Sequence, residues 1–196
     1  NYLHNPVIRL ARDIIEAGVD RRHRPISVGA HFEDYLTSPD SPFTWRSSKA
    51  KAGAGVVADL GSHIISLARR LVGEIAAVQA VLEIVVKERP LPDDPGRKAR
   101  VEVDDQVQML VRFAGGQSGT IEASAVAAGR KMHLAFEITG SKGTLVFDQE
   151  RMNELRLFRF GDDSSRDGFK TILAGPGHPP YDRFCPAPVT ASASMI

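Results

Sequence analysis

Cysteine is almost missing from this 196-residue chain: Cys185 stands alone. One thiol excludes an internal disulfide framework and suits a reducing, cytoplasmic location. It sits in the proline-rich F-C-P-A-P tail and reads as an incidental thiol rather than a nucleophile. An excess of either charge is lacking too, with 25 Lys and Arg against 24 Asp and Glu. Without a basic face or an aromatic-and-arginine cluster, nucleic acid is not an expected partner. No uninterrupted apolar run reaches the length of a membrane span, so no membrane partner is expected. The opening residues Asn1, Tyr2, Leu3 and His4 do not form a signal peptide. The first residue is not Met and a helix begins almost at once, so the chain is expected to be a piece of something longer. Internal repeats and low-complexity tracts are absent.

What is present centres on residues 53–73, G-A-G-V-V-A-D-L-G-S-H-I-I-S-L-A-R-R-L-V-G. As a helix this segment carries an apolar stripe at Val56, Leu60, Ile64, Leu67 and Leu71. Asp59 and His63 are four apart and lie one turn from each other on a neighbouring strip. A carboxylate beside an imidazole suits a general acid/base histidine. By spacing alone, an ordinary charge pair on a solvated helix face is the favoured reading.

In chain order, Asn5-Pro6 gives an N-cap and a first-turn proline, followed by a helical stripe at Val7, Leu10, Ala11, Ile14 and Ile15 that Gly18 ends. Arg21, Arg22, His23 and Arg24 read as a solvated basic turn. Residues 26–35 read as a strand with Ile26, Val28, Ala30 and Phe32 on one face; His31, on the other, is structural or exposed. A loop over 37–48 holds the only tryptophan, in Trp45-Arg46, where an indole beside a guanidinium can stack on a planar ring. A loop anchor is the plainer reading of that pair.

After Gly73 the period becomes two. Residues 75–86 form a strand, and 87–100, with three prolines, a connecting loop. Residues 103–113 alternate, with Val107, Met109, Val111 and Phe113 on one face. Turns at Gly115-Gly116, Gly129-Arg130 and residues 140–143 separate strands over 118–127, 132–139, 144–147 and 154–160. The tail from Gly161 reads as irregular. The expected class is α+β: a large, mainly antiparallel open-faced sheet with helices on one face. The other face is solvated or covered by another subunit, and a homodimer or tetramer through it is expected. A metal site is not expected, because His31, His133 and His178 show no ligand spacing.

Together these segments resemble the C-terminal domain of the glucose-fructose oxidoreductase/inositol dehydrogenase (Gfo/Idh/MocA) family. The likeness runs through N-Y-L-H-N-P, E-D-Y, W-R at 45–46 and G-x-G-V-V-A-D-L-G-S-H at 53–63. It continues with V-D-D at 103–105, G-T-I-E-A-S at 119–124, G-S-K-G-T-L at 140–145 and E-R-M-N-E-L at 150–155, and ends on H-P-P-Y and F-C-P-A-P. The resemblance implies a single C-terminal substrate and oligomerisation domain over 1–196, partnered by an N-terminal Rossmann domain that is absent from this chain and holds NAD or NADP. It implies oxidation of a sugar or inositol-like polyol, or the reverse, by hydride transfer. By position His63 resembles the acid/base, Asp59 the carboxylate that positions it or the substrate, and Trp45 and Arg46 the pair that reaches the nicotinamide end. Tyr181 resembles a substrate-cleft residue.

Two family features have no counterpart: the Gly-rich cofactor loop, and a Glu-Lys-Pro whose lysine shares the proton work. Glu88-Arg89-Pro90 lies after the catalytic helix, and arginine stays protonated. Alone, the chain is therefore expected to be inactive. The alternative is a non-catalytic module that self-associates or binds a polyol.

Overall fold

The computed structural model describes residues 2–17, 26–161, 165 and 167–179. The expected end of the first helix at Gly18, the basic turn at 21–24, Tyr181 and Cys185 lie outside them. Helix α1, Pro6–Ala17, starts as its sequence directs: the Asn5 side-chain oxygen accepts from Val7 N at 2.9 Å. Its buried face is Val7, Ile8, Ala11 and Ile15. Strand β1, Ile26–Glu33, follows, then a loop containing the one-turn Trp45–Ser47 and the short helix α2, Lys49–Ala52.

The long helix expected over 53–73 is three pieces. A bend at 53–55 leads into a π turn, Val57–Gly61, and only then into helix α3, Ser62–Leu71. The apolar stripe survives: Val56, Leu60, Ile64, Leu67 and Leu71 are all buried. Strands β2 (Ile75–Glu83), β3 (Glu88–Leu91), β4 (Asp94–Arg100), β5 (Gln106–Phe113) and β6 (Ser118–Ser124) come next. They are followed by β7 (Lys131–Gly140), β8 (Gly143–Asp148), β9 (Glu154–Arg159) and β10 (Lys170–Leu173).

Eight strands form one sheet in the order β10-β9-β8-β7-β1-β6-β5-β2. All neighbours are antiparallel except β1 and β6, which run parallel with Ile26 opposite Ser118. Between β1 and β6 the chain passes through α3 on the helical face, then returns through β2 and β5, which extend the same sheet beyond β6. Helices α1 and α3 pack there on Val107, Met109, Val111, Phe113, Ile121, Leu134, Phe136 and Ile138, the inward set of an alternating pattern. The expected class holds.

Three expectations at the level of elements change. The proline-containing loop at 87–100 is a separate hairpin of β3 and β4, and Phe43 N donates to Pro90 O at 2.7 Å to dock the preceding loop on it. The tail contributes β10, a four-residue strand too short to announce itself by period. In β1 the helix-facing positions include Gly29 and His31, whereas Phe32 looks to the opposite face and stacks on His133. His31 is structural rather than exposed, at 0%. Gly29 is required by the packing: a Cβ there would sit 2.8 Å from Ile64 Cγ1.

Candidate functional site

Three acids in the link between β4 and β5, Glu102, Asp104 and Asp105, build the scaffold of the site. Glu102 accepts from Lys49 N at 2.8 Å and Ser48 Oγ at 3.2 Å. Asp104 accepts from Gly55 N at 3.1 Å and Val57 N at 2.8 Å, capping the π turn with one carboxylate. Asp105 accepts from Val85 N and Val86 N at 2.7 and 3.0 Å. The approach at Asp104 is so close that a Cβ on Gly55 would fall 1.9 Å from the Asp104 carbonyl oxygen. The sequence pattern Gly-x-Gly before the turn and Val-Asp-Asp fifty residues later are thus two halves of one contact.

On this scaffold four side chains converge. Thr44 caps the Trp45 turn, its hydroxyl accepting from Arg46 N at 3.3 Å, so that Trp45 and Arg46 project together. The Arg46 guanidinium lies 5.4 Å from the Trp45 ring centroid, and the indole is 58% exposed. Asp59 Oδ2 accepts from Arg46 Nη1 at 2.9 Å and from the Tyr35 hydroxyl at 2.7 Å. Burial, then the bond to Asp59, pushes the Tyr35 phenol well above its ordinary value and keeps it a donor. The cluster borders a mainly apolar cavity of about 210 Å³ with Leu36, Val56, Val103 and Ala125 in its walls. His63 is not one of them.

His63 sits instead against Tyr2, edge-on at 4.9 Å between centroids, and 5.6 Å from the ring of His31. Among the described residues no hydrogen bond ties His63 to Asp59 or to any other side chain. Its pKa is lowered, first by burial and then by His31, with Asp59 and Glu33 opposing. At neutral pH the ring is therefore an unprotonated base with free nitrogens. Asp59 acts on it through space and is held by Tyr35 and Arg46, so the expected carboxylate–imidazole bond is replaced by a carboxylate–guanidinium–phenol cluster. The two residues are divided by the end of the π turn. Asp59 lies within it and His63 beyond it in α3, and such turns recur at functional sites.

Sequence reasoning thus brings His63, Asp59, Trp45 and Arg46 to one end of the helical layer. It misses Tyr35 and Tyr2, which appear in the quoted motifs E-D-Y and N-Y-L-H-N-P but carry no spacing signal. Arg89 is the superficial lysine counterpart, and it is part of the core. It is 1% exposed and donates to Ser38 O at 2.9 Å and Leu36 O at 2.7 Å. Elsewhere, His133, Asp148 and Glu150 bring ligand-type atoms within 4.8 Å of one another. Glu150 is already engaged by Lys131 N and Arg130 Nη1, and Asp148 by Glu150 N and His133.

The fold is thus an open sheet with helices on one face, with Asp59 and an exposed indole–guanidinium pair bordering a cavity beside the turn that leads into α3. The chain belongs to the GFO/IDH/MocA family: residues 8–146 match the family's C-terminal domain. It is 39% identical over 199 residues to levoglucosan dehydrogenase of Pseudarthrobacter phenanthrenivorans, covering 96% of this chain and 51% of that protein. The structure of levoglucosan dehydrogenase in complex with NADH and levoglucosan superposes with a TM-score of 0.87 at 40% identity, over 96% of this chain and 49% of that one. An NAD binding oxidoreductase from Klebsiella pneumoniae gives 0.86 at 41%, over 93% and 48%. The chain therefore spans about half the length of these relatives.

Proposed function

We propose that this chain is the substrate domain of an NAD(P)-dependent oxidoreductase acting on a sugar or polyol, with His63 as its acid/base. The observation that carries the reading is the state of His63: a neutral ring without a hydrogen-bond partner among the described residues, beside a carboxylate cluster. A neutral imidazole takes the hydroxyl proton as the carbinol carbon becomes a carbonyl, and returns it in the reverse direction. Asp59 Oδ2 is filled by Tyr35 and Arg46, which leaves Oδ1 to accept a second hydroxyl of the substrate. NAD(P), when bound, supplies the hydride acceptor.

The exposed Trp45 face and its stacked guanidinium fit a planar ring bearing a carboxamide, and these two residues would meet the nicotinamide end. The cavity beside Asp59 is smaller than the roughly 300–1,000 Å³ of complete ligand pockets. That size suits half of a cleft whose other wall comes from a Rossmann domain ahead of residue 1. Turnover by the protein made from the complete gene tests this directly. With NAD or NADP and a panel of levoglucosan, inositols and aldoses, it reduces cofactor on at least one member, whereas the 196-residue chain alone reduces none. Turnover by the isolated chain would overturn the division of labour.

A further inference from the structure

His31 is a fully buried imidazole with an acceptor at each nitrogen. Its Nδ1 lies 3.0 Å from the carbonyl oxygen of Leu60, inside the π turn, and its Nε2 lies 3.2 Å from Glu33 Oε1. A carbonyl and a carboxylate both accept, and a neutral imidazole has a single N–H to offer. Whichever tautomer is drawn, one ring nitrogen would aim a lone pair at an oxygen in a dry interior, an expensive arrangement. One additional proton removes the conflict. The His31 side chain is 1% exposed while that of Glu33 is 21% exposed, so the carboxylate keeps the solvent contact that stabilises its charge and the ring holds the proton.

We propose that His31 and Glu33 form a buried imidazolium–carboxylate pair that holds the neighbouring His63 in its neutral, base form and anchors the turn that carries it. His31 is thereby a positioning residue for the reaction, an inference that rests on the reading of His63 as the acid/base. The ring centroids of His31 and His63 are 5.6 Å apart, and the Tyr2 ring packs edge-on against both. A positive charge at that distance opposes a second one on His63. The other groups facing His63 are Glu33 on β1, Asp59 on the π turn and the Tyr2 hydroxyl; Glu33 and Asp59 oppose the effect. The same proton makes Nδ1 a donor to Leu60, so the pair fixes the carbonyl at the centre of the turn between Asp59 and His63.

Nitrogen-15 histidine spectra of the chain separate imidazolium from either neutral tautomer, and the loss of one signal set in His63→Ala assigns that ring among the six histidines. At pH 7 the expected spectrum shows His31 protonated on both nitrogens and His63 neutral. In Glu33→Gln the amide can donate to Nε2, so His31 becomes a single Nδ1–H tautomer. Because that change also removes the opposing Glu33 charge, the His63 midpoint is read in His31→Gln, which removes the ring charge alone, and there it rises by about half a pH unit or more. A neutral, single-tautomer His31 in the unsubstituted chain would overturn the proposal, and so would an unmoved His63 midpoint in His31→Gln. If these variants do not fold, the His31 spectrum of the unsubstituted chain decides alone. Kinetics of the intact protein test the underlying reading separately: if His63→Ala retains full turnover, His63 is not the acid/base, whatever the spectra show for the pair.

Discussion

Asp59 shows how a residue can be found by sequence and still be given the wrong neighbour. The four-residue spacing to His63 places both at one end of the helical layer, and the fold keeps them there. Its hydrogen bonds, however, go to Tyr35 and Arg46, at 24 and 13 residues' remove, which no local period reveals. His63 could be named from the sequence as a candidate, while the buried His31 beside it showed only as a histidine on the other face of a strand. The lowered pKa of His63 sets the sign of one prediction. Oxidation by the intact protein needs the neutral ring, so kcat/KM rises with pH, bends at a midpoint below 6.5 and is level above it; a pH–rate profile of the free enzyme checks this. Arg89 supports a second. Its guanidinium satisfies two buried carbonyls, and Arg89→Met leaves both without a donor. The expected loss is roughly 2–4 kcal/mol in urea unfolding, with no specific effect on the acid/base midpoint.

Among the elements, those with a strong period and a single buried face were readable. Helix α1 and the stripe through α3 fall where their apolar positions put them, and β5 through β9 follow their alternation. The π turn was not readable, because its cause is tertiary: Asp104 takes the N–H groups of Gly55 and Val57, and His31 meets the Leu60 carbonyl. The β3–β4 hairpin was hidden for a similar reason, since Pro90 and the charged Arg89 are buried against a distant loop rather than a periodic core. Asp104→Ala removes two capping bonds at once. It should lower stability by roughly 1–2 kcal/mol and reduce kcat/KM of the intact protein more than kcat, because the turn that aims Asp59 loosens before chemistry is reached. Thermal unfolding with steady-state kinetics checks both. Asp104→Asn, which keeps an acceptor oxygen, should recover part of each.

For the whole molecule, the alternating strands were enough to give the class of fold but not the strand order. The parallel pairing of β1 with β6 joins segments some ninety residues apart in a register that only the packed sheet defines. The face away from the helices carries Val81 and Leu110 at 59% and 60% exposure, around a shallow depression with Gln79, Gln108, Thr120 and Glu122. Large side chains at such exposure on one sheet face favour contact with a second copy. We therefore expect self-association through this face, and Leu110→Glu should shift sedimentation of the chain toward the monomer without altering its unfolding midpoint by more than about 0.5 kcal/mol. An unchanged sedimentation profile would place any self-association elsewhere. No described helix is long and apolar enough to cross a membrane.

The central claim is that the neutral His63 on this domain does the proton transfer for a sugar or polyol oxidoreductase. The most direct measurement is the steady-state rate of NAD(P) reduction by the intact protein, compared with its His63→Ala variant at saturating sugar. The account predicts a fall in kcat of about 10²–10⁴-fold with cofactor affinity unchanged. Retention of kcat within a few-fold would contradict it.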